Sequence, residues 1–249
     1  MNIKDLQKLF VLFCLALVAV SCGDKDDPEP SLEEVELAVF SEETKVVIPE
    51  GLKNSSSSEA QAVSSMIESM TSSIGAYSSL FTIPDGATKL SSPIEAANGR
   101  MDANSVTYEW SYQGGAVAYQ ITELSDSYFF EIFFKEAGGP YYKWFEGTQA
   151  KDGKSGSFVM LDFEADARVE ILTYEYEIRN DGSIYGEYNY PSWGYSFIFE
   201  VLADGSGYIK SYDNNVIQVE YIWNADGSGN WTYYDESGAV SSTGSWTAG

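Results

Sequence analysis

Between Ser105 and Trp246, apolar and polar positions alternate in short runs separated by turn residues. In one of them Leu172, Tyr174, Tyr176 and Ile178 share one side, and Thr173, Glu175, Glu177 and Arg179 share the other. A period of two marks a strand with one dry and one wet face. About twelve such runs stand between turn residues, several of them alternating cleanly, at 105–112, 116–123, 128–135, 141–149, 157–163, 169–179, 183–190, 195–203, 207–212, 216–224, 229–234 and 239–247. The run SYFFEIFF (127–134) is apolar on both sides, which predicts cover on both faces. All links are short, so successive strands form antiparallel hairpins. Strongly twisted open sheets rarely exceed ~10 strands. The pattern therefore predicts a mainly β fold. It is an antiparallel up-and-down meander of about twelve strands, closed as a barrel or curved as a half-barrel.

Upstream the period changes. Val63, Met66, Ile67, Met70, Ile74, Tyr77 and Phe81 recur at spacings of three and four, which predicts a helix over about 59–81. Ser57 or Ser58 caps its start, and Pro84-Asp85-Gly86 stops any continuation. Gly75 weakens its middle. Its apolar stripe is expected to pack on the sheet, so that the segment 32–104 and the meander 105–249 form one domain. Within 32–50 two further short strands are expected around Ser41-Glu42-Glu43, followed by a serine run at 54–58.

The links sort by end. Asp126, Asp152-Gly153, Asp181-Gly182, Asp204-Gly205 and Asp226-Gly227 fall on alternate links, hence at one end of the sheet. From Asp181 to Asp204 to Asp226 the spacing is 23 and 22 residues, one hairpin per period. Asp-Gly suits a two-residue type I′ turn. A calcium reading of Asp181, Asp204 and Asp226 is weak. Asp226, Ser228 and Asn230 stand at alternate positions, but Ser237 occupies the place where an EF-hand-like loop carries its bidentate Glu. No metal and no cofactor are expected.

The N-terminus has a different character. Lys4 and Lys8 precede an apolar run from Leu9 to Val20, the length of a signal-peptide core and short for a membrane span. It ends in Ala19-Val20-Ser21-Cys22. A small residue directly before a cysteine at this place resembles a bacterial lipobox. The resemblance implies a lipoprotein signal peptide over 1–21 and lipidation, such as by palmitate, on the Cys22 sulfur. The acidic tether 22–31, with Gly23-Asp24-Lys25-Asp26-Asp27, resembles the export signal of Bacteroidota surface lipoproteins. That implies an outer-membrane lipoprotein on the cell surface, with a periplasm-facing location as the alternative. Cys14 leaves with the signal and Cys22 carries the lipid, so the mature chain has no thiol to pair.

Composition narrows the chemistry. A net charge of −24 repels phosphate backbones, so nucleic acid is not an expected partner. The absence of His, with no mature thiol, removes Ser-His-Asp and Cys-His sets and the usual zinc sites. Carboxylate chemistry such as glycoside hydrolysis is the remaining enzyme class. Glu109, Glu123, Glu131, Glu175, Glu177, Glu187, Glu200 and Glu220 lie on predicted strands, where acidic residues ordinarily solubilise. No catalytic residue is assigned and the chain is not expected to be an enzyme. Of Trp110, Trp144, Trp193, Trp223, Trp231 and Trp246, most are expected to pack. Trp193, in the turn PSWG, is the best candidate for stacking on a sugar, with Trp231, Tyr185, Tyr233 and Tyr234 behind it.

The leading expectation is a lipid-anchored surface protein that binds an extracellular ligand, a glycan or a host macromolecule. The alternatives are a carrier of an apolar ligand in a β-barrel or half-barrel cavity, and a structural or adhesion component of the envelope. Replacing Cys22 with Ala should abolish incorporation of a labelled fatty acid; unchanged labelling would refute the lipobox.

Overall fold

The computed structural model describes residues 31–38, 46–95, 104–163, 165 and 167–249. The chain divides into two compact units, Met1–Glu34 and Val35–Gly249, and every regular element described belongs to the second. Cys22, the signal run and the predicted Ser41-Glu42-Glu43 turn lie outside the described residues. On the flanks of that turn, 35–38 and 46–49 form no strand.

The meander is real and complete. Strand β1 is Thr88–Lys89, β2 Ser105–Tyr112, β3 Gly115–Glu123, β4 Ser127–Lys135, β5 Tyr142–Ala150, β6 Ser155–Leu161 and β7 Glu170–Ile178. Then come β8 Ile184–Tyr190, β9 Tyr195–Val201, β10 Gly207–Asp213, β11 Val216–Trp223, β12 Gly229–Tyr234 and β13 Val240–Trp246. They form one 13-stranded sheet in sequence order, with each neighbour antiparallel. The twelve predicted runs are β2–β13. The extra strand β1 offers only two residues, against Glu109 and Tyr108, too few to show an alternation. The sheet stays open, because β1 and β13 do not pair. Closure as a barrel is thus corrected to the curved, open form.

A helix replaces closure as the means of burying the concave face. Helix α1 is Glu50–Lys53 and α2 is Ser58–Tyr77, continued by a 3-10 turn over Ser78–Phe81. Directly paired residues share a face, and one such row runs Tyr119, Ile132, Phe145, Met160, Leu172. Ala60, Val63, Ile67 and Met70 of α2 are buried with Leu172, Tyr174, Tyr188, Phe199, Ile209, Tyr221 and Trp223 of that face. At its far end, Phe81 lies 5.8 Å from Tyr119, 5.9 Å from Phe145 and 5.8 Å from Phe158. The helix therefore crosses the strands from the β13 side toward β3. Each large apolar side chain so buried stabilises by roughly 1.5–3 kcal/mol. The side chain of Ile74, part of the predicted stripe, lies outside those described.

The 22-residue hairpin period has a packing basis. Gly207 pairs with Trp223, and a Cβ on Gly207 would lie 2.6 Å from the Trp223 ring. Gly229 pairs with Trp246, where the same distance is 2.2 Å. The Trp223 Nε1–H donates to the Gly205 carbonyl at 2.9 Å, and the Trp246 Nε1–H to the Gly227 carbonyl at 2.7 Å. Each D-G-S-G turn is thus roofed by the tryptophan that ends the second strand after it, where the chain returns to the same end of the sheet.

Two buried glutamines fasten the connecting segments. Gln149 accepts from the Ala38 N–H at 2.6 Å and donates to the Glu36 carbonyl at 3.1 Å. Gln120 accepts from the Ile94 N–H at 2.8 Å and donates to the Glu95 carbonyl at 2.8 Å. Each amide presents the donor and acceptor that a neighbouring strand would present. No helix among the described residues is long and apolar enough to cross a membrane.

Trp223→Ala should lower the free energy of unfolding by about 3–5 kcal/mol in urea denaturation. Trp223→Phe, which keeps most of the roof and loses the indole bond, should cost about 1 kcal/mol from that bond.

Candidate functional site

The two ends of the meander differ in what they offer. At the Asp-bearing end, the links are not the two-residue type I′ turns predicted from Asp-Gly. They are three-residue loops in which only the glycine is left-handed, with φ of 83° at Gly182, 85° at Gly205 and 91° at Gly227. In the Asp204 turn, the Gly205 N–H donates to the Leu202 carbonyl and the Leu202 N–H to the Ser206 carbonyl, a type I turn closed by a glycine bulge. The Asp stays right-handed because its carboxylate turns back on the chain. Asp181, Asp204 and Asp226 each accept from both the N–H and the hydroxyl of the serine two residues on, at 2.6–3.0 Å. True two-residue loops with positive φ throughout sit at the opposite end, at Gln113-Gly114 and Asn214-Asn215.

Asp181, Asp204 and Asp226 are too far apart to share one ion. Alternate links are separated by two strand spacings, ~10 Å, whereas calcium ligands must all lie at ~2.3–2.6 Å from one ion. Among the described residues no three His, Cys, Asp or Glu lie close enough to hold a metal. The end is also partly covered from within the chain: Gly227 lies against Gly51 and Leu52, and Gly205 faces Pro49.

At the other end stands Trp193, the most exposed aromatic side chain among the described residues. Trp193 closes the 3-10 turn Pro191–Trp193 between β8 and β9, and Gly194 follows in the left-handed conformation with φ 65°. It is 71% exposed. Its ring lies parallel to Tyr190, with centroids 5.3 Å apart and planes at 8°. Tyr190 pairs with Tyr195 across β8 and β9, 6.2 Å between rings. Tyr195 in turn touches Phe197, which stacks on Tyr188 at 4.7 Å, itself 4.2 Å from Tyr174. A continuous aromatic column thus runs from the core to Trp193. The turn is fixed from its other side, where the Asn214 N–H donates to the Gly194 carbonyl at 2.7 Å.

The remaining stacking candidates do not join this site. Trp231 and Tyr233 face the concave side, 4.9 Å apart. Trp231 covers Gly244, and the hydroxyls of Tyr233 and Tyr221 are bonded at 3.1 Å. Tyr185 and Tyr234 are on the convex face, donating to Glu187 at 3.2 Å and to Glu220 at 3.4 Å. The periodic reading missed Tyr190 as the partner of Trp193, and Tyr195 as the ring beside Tyr190. Their position as the last and first residues of two paired strands flanking PSWG was the available signal.

Carboxylates gather elsewhere. Glu131, 1% exposed, pairs in register with Glu146 across β4 and β5, and Lys143 bridges them at 2.7 and 3.3 Å. Burial pushes the Glu131 carboxyl up. Burial also opposes ionisation of Glu146, but the Arg168 hydrogen bond and the Lys143 charge outweigh it and hold that carboxyl down. Opposed shifts in neighbouring acids can mark a general acid and base. Here both Glu131 oxygens are held, by Gln120 at 2.7 Å and by Lys143, and Lys143 also grips Glu95 at 2.9 Å. The group ties Leu90–Glu95 to the sheet. A polar cleft of about 440 Å³ opens beside Pro84, Gly86, Glu109 and Trp110. Its Glu109 carboxylate is bonded to Lys135 at 2.7 Å and to the Tyr141 hydroxyl, which hold it below the usual range.

No protein-family model matches the chain, and no curated protein matches it.

The serine donors, hydroxyl first, hold Asp181, Asp204, Asp226 and Asp235 below the usual carboxylate range. Their contribution to stability is present above the unfolded value of ~3.9 and is lost as pH falls through the lower folded value. A Ser206→Ala, Ser228→Ala double variant should therefore melt lower than the native chain at neutral pH. The gap should narrow toward about pH 2. Millimolar calcium at constant ionic strength should leave the melting temperature unchanged.

Proposed function

We propose that this chain is a lipid-anchored surface lipoprotein that binds an extracellular glycan on the Trp193 platform. The observation that carries the reading is a tryptophan with one face stacked on Tyr190 and its remaining surface open to solvent, 71% exposed. A rigid, supported aromatic face is suited to stacking on the apolar face of a sugar ring, because its apolar area is offered without loss of side-chain freedom on binding. Asp213, Asn214 and Asn215, all exposed beside the turn, supply donors and acceptors for sugar hydroxyls. The acidic surroundings favour an uncharged glycan over a sulfated or uronic one.

The lipobox at Ala19–Cys22 and the acidic stretch behind it support the anchor and the outer-membrane location. The carrier alternative would place its ligand on the concave face, where α2 lies with Ala60, Val63, Ile67 and Met70 buried against the sheet. That packing favours a surface site over an internal one.

Trp193→Ala should abolish binding on a glycan array spanning neutral and acidic polysaccharides while leaving the melting temperature within about 1–2 °C of native, as expected for an exposed side chain. Silence of the native chain across the array, or equal binding by the variant, would refute the assignment.

A further inference from the structure

The two outer edges of the sheet are finished differently. At one, β1 is two residues long, carries Lys89 and runs into the segment that Gln120 and Lys143 fasten to the sheet. A very short strand and a lysine are devices that keep an edge from pairing with another chain. At the other, β13 is seven residues long and reads VSSTGSW, with neither charge nor proline. Nothing among the described residues pairs with its outer side, and Val240 at its start is 60% exposed.

The ladder decides which backbone groups face outward. The Asn224 N–H donates to the Ser228 carbonyl, which makes those two a hydrogen-bonded pair. Alternation along β12 then turns Asn230 and Thr232 toward β11, and Gly229, Trp231 and Tyr233 toward β13. Their partners Trp246, Gly244 and Ser242 face inward, so Thr243 and Ser245 present N–H and C=O to the open side. This open run has two stops. Ser241 falls where the ladder shifts register, its hydroxyl donating to the Tyr233 carbonyl at 3.1 Å. The Thr247 carbonyl accepts from the Ser55 hydroxyl at 3.2 Å. Between the stops lie residues 242–246, with Gly244 at their centre.

We propose that this run pairs antiparallel with the same run of a second copy of the chain, about a two-fold axis at Gly244. Thr243 of each copy then stands opposite Ser245 of the other, a hydrogen-bonded pair with a hydroxyl on both sides. Ser242 stands opposite Trp246 and Gly244 opposite Gly244, so two bulky side chains never meet. Charge does not prevent the approach. The chain carries −24, but β12 and β13 carry no charged residue. The nearest charge on a strand is Glu220 of β11. The two β11 strands stand five spacings apart in the pair, ~24 Å, against a screening length of ~8 Å at physiological salt. The association also closes at two, because joining β13 to β13 leaves the protected β1 at both outer edges. Five residues span only ~17 Å, less than a standard interface, so the dimer is reversible.

The test uses the full chain in detergent, with Cys14 and Cys22, its 2 cysteines, replaced by Ser. Thr243→Cys and Ser245→Cys chains, mixed and oxidised, should link at least about tenfold more than either alone. Directly opposed Cα atoms lie ~5.5 Å apart, whereas like residues of the two copies are diagonal neighbours at ~7–8 Å, too far for a disulfide. In sedimentation the native chain should pass from monomer to dimer with concentration, and Thr243→Lys should weaken that association by at least about tenfold. Thr243→Pro removes an outward N–H and should weaken it equally while melting near native; Ser242→Pro removes an inward N–H and should melt far lower. Equal melting of these two would overturn the assignment of the open groups. Linking by Thr243→Cys alone, or by the exposed Glu175→Cys on β7, as strongly as by the mixture would overturn the pairing. A native chain that stays monomeric, or dimerises unchanged as Thr243→Lys, would overturn it too. So would slow hydrogen exchange at the Thr243 and Ser245 amides in the dilute monomer, since another segment of the chain would then cover the edge. Loss of glycan binding in Trp193→Ala leaves this experiment unaffected, so the two readings fail separately.

Discussion

The contact between α2 and the concave face of the sheet is what the rest of the molecule depends on. An open sheet of thirteen strands has one face that must be dry, and nothing in a meander covers it. Ala60, Val63, Ile67 and Met70 supply that cover toward β7–β13, and Phe81 continues it toward β3–β6. Because the helix fills the concavity, the sheet curves without having to close. The same contact leaves the strand ends as places where side chains can meet a ligand, and leaves β13 with an unpaired outer edge.

The strand ends are held by chemistry that acts within each turn. An aspartate carboxylate bonds the serine two residues on, a glycine takes the left-handed position, and in two hairpins a tryptophan roofs the result. An aspartate so engaged is a turn residue rather than a ligand. Repetition therefore argues here for structure. The one aromatic that departs from the repeat, Trp193, lies in a link of a different kind, a 3-10 turn with proline at its start. Its Tyr190 neighbour belongs to the aromatic column, so the exposed ring is mounted on the core itself.

Buried polar groups on β3, β4 and β5 do a related task for the segments that cross the sheet. Gln120 and Gln149 bind passing backbone as a strand would, and Lys143 gathers Glu95, Glu131 and Glu146 around itself. These attachments bring segments distant in sequence onto the sheet; the bond from Gln149 to Ala38 spans 111 residues. Partly satisfied networks of this kind would be costly in a core. Here almost every oxygen of the group has a donor.

By itself the sequence determined strands β2–β13, their order and the helix, because each of these is a local periodicity: two for a strand, three to four for α2; the two-residue β1 is too short to show one. It also singled out Trp193, since a large aromatic in a turn has no core to enter. It could not decide the turn type at Asp-Gly, because both geometries accept the same residues and the choice rests on where the carboxylate finds a donor. Nor could it say that Trp231 and Tyr233 pack inward while Tyr185 and Tyr234 face out. Alternation gives two sides to a strand, and only the register with its neighbours and the position of α2 make one of them the inside. The pairing of Trp193 with Tyr190 and the open edge both follow from that three-dimensional choice, since each depends on residues that no local pattern brings together.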